Sequence, residues 1–264
     1  MNVTDLGLHS LALFFYPGLL SVLLVGLGTE LGLRRLDREP AGASRSLRLE
    51  KAGNLSLAGR LAILLAALAA TQLGAPFNPV PAAERSALLA AVCVAGAGWA
   101  IWSGDRAGRG EQETPAGGLL LPQLCWMLAL LGPAVAAGTF RPTAIGSVAV
   151  PVHLALKSVA GLLFLASLPA VLLLLDAPPA GWPERVARAA LWLPACALGA
   201  SVLLAPVGDD LPGALRFAAE TIVVGLVATV LGRLLPARRR AYTPLLLLLS
   251  GATALLTVLA SRLA

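Results

Sequence analysis

Eight stretches of continuous apolar sequence dictate what this chain can fold into. They fall at about residues 6–33, 57–74, 86–103, 118–138, 145–175, 187–207, 213–235 and 243–261. Each is near or above the ~18–20 residues that an α-helix needs to cross the hydrocarbon of a bilayer. In that medium the backbone polar groups must be satisfied internally, which leaves helices and closed barrels. Barrel strands read as alternating segments of about 10 residues, and these runs are continuous. Only 13% of the 264 residues are charged and 58% are hydrophobic, with a mean hydropathy of +0.82. A soluble domain carries roughly 25% charge, so this chain has too little polar surface to cover a globule. The sequence predicts an all-α, polytopic integral membrane protein of about eight transmembrane helices, a single helical domain over 1–264. The first run is too long for a signal-peptide core, and neither a basic segment before it nor a small-residue cleavage site is evident.

The connecting loops give an orientation. The loop at about 34–55 holds Arg34, Arg35, Arg38, Arg45, Arg48 and Lys51, against Asp37, Glu39 and Glu50. Arg106 and Arg109 lie in the loop at about 104–117. Arg185 and Arg188 flank the one at about 176–186, and Arg233, Arg238, Arg239 and Arg240 belong to the one at about 233–242. The intervening loops carry Arg85, Arg141 and the acidic pair Asp209–Asp210. Odd loops are basic and even loops are not. By the positive-inside rule this places the odd loops in the cytoplasm and both termini outside; the expected location is the cytoplasmic (inner) membrane of a prokaryote. The net charge of +6 therefore reports topology. No interleaving of basic and aromatic residues suggests a nucleic-acid surface.

Chemistry-bearing motifs are scarce. Cys93, Cys125 and Cys196 each fall inside an apolar run and form no CxxC pair, so they read as small buried hydrophobes. No phosphate-binding loop, nucleophile elbow or metal-ligand spacing occurs. Phe14-Phe15-Tyr16-Pro17-Gly18 places a proline within the first run, where a kink is expected, for packing or to line a cavity.

The fifth run holds the most conspicuous residue. Lys157 is one of two lysines in the chain and lies within VAVPVHLALKSVAGLLFLASLPAVLLLL, residues 148–175. A lysine within a hydrocarbon span is costly and calls for a partner. His153 lies four residues earlier, on the same helix face. Glu220, about seven residues into the seventh run, is the acid nearest in depth. The expectation is a Lys157–Glu220 pair, direct or through water, with His153 extending it. Such a group would be either a structural pin or a short ion relay. Asp176 and Glu184 bracket the proline-rich loop that follows.

Several stretches together resemble the membrane anchor subunit shared by respiratory complex I and the membrane-bound nickel–iron hydrogenases, the subunit-H or formate-hydrogenlyase-subunit-four type. They are the first run with its FYPG, closed by Glu30 and the basic loop; LLPQLCWMLALLGPAVAAGTFRPTAI, which begins its helix with a glutamine; Asp176-Ala-Pro-Pro with Trp182-Pro183-Glu184; and the terminal LLPARRRAYTPLLLLLSGATALLTVLA. The family's Gln-x-Arg-x-Gly-Pro signature after the first span is absent. Its carboxylate-rich loop is reduced to Asp176 and Glu184, and Trp126-Met127-Leu128 stand where it has a glutamate. Those carboxylates serve quinone-site and proton-uptake roles in the family, so quinone binding stays open. The resemblance implies a non-catalytic subunit of a membrane oxidoreductase complex that binds no cofactor itself. Its partners would be antiporter-like membrane subunits, cytoplasmic iron–sulfur and catalytic subunits, and lipid, with no nucleic acid. Lys157, Glu220, His153, Asp176 and Glu184 are its candidates for proton or sodium translocation. Glu30, Arg34, Arg35, Arg38, Arg45, Arg48, Arg238, Arg239 and Arg240 are its candidates for docking. Two other classes fit the residues alone: a permease subunit with a polar path through His153, Lys157 and Glu220, and a membrane scaffold that transports nothing.

Overall fold

The computed structural model describes residues 3–36, 56–109, 117–175, 182–235 and 239–263. All regular structure among them is helical. The elements are α1 (Val3–Phe14), α2 (Leu19–Leu36), α3 (Leu57–Thr71), α4 (Ala87–Arg109), α5 (Gly117–Ala136), α6 (Pro142–Ser147), α7 (Pro151–Val171), α8 (Trp182–Ala190), α9 (Trp192–Leu203), α10 (Leu211–Leu234) and α11 (Arg239–Leu263). All eight apolar runs are helical. Seven are long and apolar enough to span a membrane, and the eighth, α3, is a shorter apolar helix of 15 residues, about 22 Å long. The chain is an all-α polytopic protein of the membrane type.

Local chemistry sets the helix ends. The Ser56 hydroxyl accepts the Gly59 N–H at 3.0 Å and starts α3. The Asp210 carboxylate accepts the Gly213 N–H at 2.8 Å and starts α10. Both are N-caps that satisfy orphan donors. Prolines open α6, α7 and α10 in the first turn, where the missing N–H costs nothing.

Three of the runs are interrupted. The first breaks between Phe15 and Gly18, where Pro17 lacks an N–H and the Gly18 N–H turns back to the Ala12 carbonyl at 2.9 Å. This is the expected kink. The fifth breaks over residues 148–150 into the stub α6 and the long α7, because a residue before proline is driven out of helical geometry. The sixth breaks at Leu191, between the amphipathic α8 and the apolar α9.

The stretch Trp182–Leu203 is the most buried of the spans. Around it Trp126 of α5 meets Phe164 of α7 with ring centroids 6.1 Å apart, both fully buried. Small residues allow the closest approaches, as in membrane helix packing generally. A Cβ on Gly26 would collide with the Ala189 carbonyl, so α2 lies directly on the α8 backbone. Gly26→Leu should therefore destabilise the fold by about 1–3 kcal/mol, read as a lower melting temperature in detergent. Gly28→Leu, where a side chain meets open space, should leave it nearly unchanged.

One end of the bundle gathers the links that follow the second, fourth and sixth spans. The Phe77 N–H donates to Asp209 Oδ1 at 3.1 Å, the Gly74 N–H to Ser201 Oγ at 3.1 Å, and the Ala87 N–H to the Phe140 carbonyl at 2.7 Å. His9 of α1 reaches Glu84 at 3.1 Å at the same end. Alternating helix directions bring these segments together.

Candidate functional site

Lys157 sits one and a half turns into α7 and is 7% exposed. Side chains on a helix lean toward its N-terminus, and this one leads back to the 146–148 turn. Its ammonium donates to the Gly146 carbonyl at 2.8 Å and to the Val148 carbonyl at 2.9 Å. These carbonyls lie at the C-terminal end of α6, where acceptors lack helical partners and the dipole is negative. Gly146 itself is wedged against α9: a Cβ there would lie 2.9 Å from the Leu204 carbonyl. The lysine thus pins the stub helix against the bundle.

The expected Lys157–Glu220 pair is not formed. Glu220 Oε1 instead accepts from Arg216 Nε at 2.7 Å, one turn earlier on α10, the i, i+4 spacing at which helical neighbours meet. His153 does share the buried face of α7 with Lys157, but its Nε2 lies 3.1 Å from the Ala136 carbonyl. A carbonyl only accepts, so Nε2 donates; Nδ1 is buried without a hydrogen-bond partner. Each of the three groups therefore holds its own partners, and no hydrogen bond links them into a relay. Depth along a straight span does not register the α6 break, which supplies acceptors to Lys157 in place of an acid.

Lys157 also lines a lateral groove of about 370 Å³ between α7, α9 and α10. Leu154, Gly161, Phe164, Gly199 and Val224 form its apolar walls. A second groove, about 380 Å³, lies between α2, α9 and α10, with Trp192, Cys196 and Gly225 among its walls. Its threonine hydroxyls are turned inward: Thr29 donates to the Val25 carbonyl, Thr221 to Phe217 and Thr229 to Gly225, at 2.8–2.9 Å. That groove offers an apolar surface.

Arg85 is the strongest polar centre that the sequence did not single out. It is 8% exposed. Nε donates to the Val80 carbonyl at 2.9 Å, Nη2 to Asn78 at 3.1 Å and Nη1 to Leu73 at 3.4 Å. Asn78 Nδ2 adds bonds to the Thr71 and Leu73 carbonyls at 2.9 and 3.0 Å. Burial lowers the Arg85 pKa from its ordinary value and the nearby Asp209 carboxylate opposes that shift; the group stays charged at neutral pH. Its five donors suit this work, since a guanidinium can hold several carbonyls at once.

The chain matches no protein-family model and no curated protein. Of the other predicted site residues, those described lie toward helix ends. Glu30 is half-buried near the end of α2, and Glu184 is half-buried in the first turn of α8. Arg34 and Arg35 belong to the last turn of α2, and Arg239 and Arg240 to the first turn of α11. Asp176, Arg38, Arg45, Arg48 and Arg238 lie outside the described residues. Among the described residues no three His, Cys, Asp or Glu side chains are grouped to hold a metal ion.

Proposed function

We propose that this chain is the membrane anchor subunit of a complex-I-like or hydrogenase-like redox assembly that translocates protons or sodium ions. The observation that carries the reading is the inequality of the two ends. One is tied shut by Arg85, Asn78 and the cross-links to Asp209, Ser201 and Phe140. Arg34, Arg35, Arg109, Arg233, Arg239 and Arg240 stand on the turns of α2, α4, α10 and α11 at the other. A face built that way suits charge-complementary docking of a cytoplasmic iron–sulfur arm. The apolar faces of α10 and α11, with Ile222, Val223, Leu248 and Leu255 exposed, suit lipid or neighbouring antiporter-like subunits. Electron transfer belongs to the partners. The separate partnering of His153, Lys157 and Glu220 weighs against a permease path through those three groups.

Purification of the tagged chain from native membranes in mild detergent tests this. Iron–sulfur proteins and antiporter-like membrane subunits should copurify, and reversing Arg238, Arg239 and Arg240 to glutamate should release the soluble partners while the membrane ones remain. Copurification of an ATPase with a solute-binding protein, or of no redox component, would reject the reading.

A further inference from the structure

We propose that the groove beside Lys157 is a binding site for an anionic phospholipid, its phosphate on the ammonium and an acyl chain along α7. The ammonium has three donors, and two are used, on Gly146 and Val148. Both acceptors are neutral carbonyls. Among the described residues no carboxylate pairs with Lys157, and the acid on the facing helix, Glu220, is taken by Arg216. One positive charge is therefore uncompensated at the margin of an apolar groove, a position that favours an anion.

Depth and shape point to a lipid. Lys157 lies about 9 Å of helix rise below Pro151, and its stem carries the charge back up to the 146–148 link, as snorkelling lysines do. On this proposal the link, in which Val150 is 52% exposed, stands at headgroup height, with the ammonium beside it. Below it the walls pass from Leu154 and Gly161 to Phe164 and Leu165, roughly 12 Å further along the helix. They are apolar; Gly161, where a Cβ would meet open space, keeps the channel open, and Gly199 takes the Phe164 ring against its backbone. A soluble anion would use the top of this site and leave the channel unfilled. This inference holds independently of any redox partner.

The test is lipid retention by the purified full chain, measured by native mass spectrometry after exchange into detergent with added phosphatidylglycerol or phosphatidylcholine. Wild type should hold phosphatidylglycerol about tenfold more tightly, the size of one charge-assisted hydrogen bond. Lys157→Gln should abolish the preference and Lys157→Arg should keep it. Gly161→Phe, placed where a side chain meets open space, should displace the lipid with Lys157 intact. It also carries the test if the Lys157 variants do not fold. Equal retention of the two lipids by wild type, retention of phosphatidylglycerol unchanged in Gly161→Phe, or an effect of inorganic phosphate equal to that of the lipid would overturn the proposal.

Discussion

Arg85→Ala should be the most damaging single substitution at the closed end, costing about 3–5 kcal/mol of stability. The guanidinium donates to three main-chain carbonyls, those of Leu73, Asn78 and Val80. Removing it strands acceptors inside a segment where Gln72, Leu73, Asn78 and Val80 are all buried. Each hydrogen bond to a charged group contributes about 1.5–3 kcal/mol, and a buried acceptor left unpaired costs a further penalty. Loss of the charge also leaves Asp209 without its nearby cation. Arg85→Lys keeps the charge but loses the planar fork, so it should recover only part of the loss. Thermal unfolding in detergent separates the cases: wild type highest, lysine intermediate, alanine lowest. A melting temperature for Arg85→Ala equal to that of wild type would mean that the 72–86 link is held by something else.

Gly18→Val should rank next, at about 3 kcal/mol, the upper part of the overpacking range. A Cβ at residue 18 would run into the main-chain carbonyls of Ala12 and Leu13. Neither is the mobile end of a side chain, so the turn between α1 and α2 must open. That breaks the Gly18 N–H bond to Ala12 and disturbs the Ser21 hydroxyl on Phe15. Gly7→Val in the same run meets open space and should lose only the smaller cost of a β-branched residue in a helix. Limited proteolysis, with cleavage between residues 14 and 19 in Gly18→Val alone, would report the opened turn directly. Equal resistance in the two variants would contradict the packing described for Gly18.

The fold class was legible because the constraint behind it is severe. A run of about 20 apolar residues in a bilayer has few alternatives to a helix, and all eight runs are helical. The kink at Pro17 was legible for the same kind of local reason. The break before Pro151 carried the same proline signal, but the apolar character of 145–175 hid it, because hydropathy does not distinguish a stub plus a linker from a continuous span. Read as one continuous span, the sequence offers Glu220 as the partner of Lys157. The carbonyls that hold the lysine exist only because the helix stops at Ser147. Arg85 was invisible for a different reason. As one basic residue in a short loop it looked like a topology marker, and only the return of residues 71–80 beneath it supplies the acceptors. The Asn78-Pro79-Val80-Pro81 run was the available signal: two prolines and an asparagine force a tight turn with carbonyls in need of donors.

A cytoplasmic arm can dock only on the end of the bundle that faces the cytoplasm. Single cysteines at Phe77, Arg141 and Asp209 mark the closed end, and at Ser46 and Arg109 the loops that the positive-inside rule assigns to the cytoplasm; all are probed with a membrane-impermeant maleimide on intact cells. The native Cys93, Cys125 and Cys196 are buried and should not react. The closed-end positions should label from outside, and Ser46→Cys and Arg109→Cys only after the membrane is permeabilised. The reverse pattern would put the basic loops outside and contradict the anchor assignment.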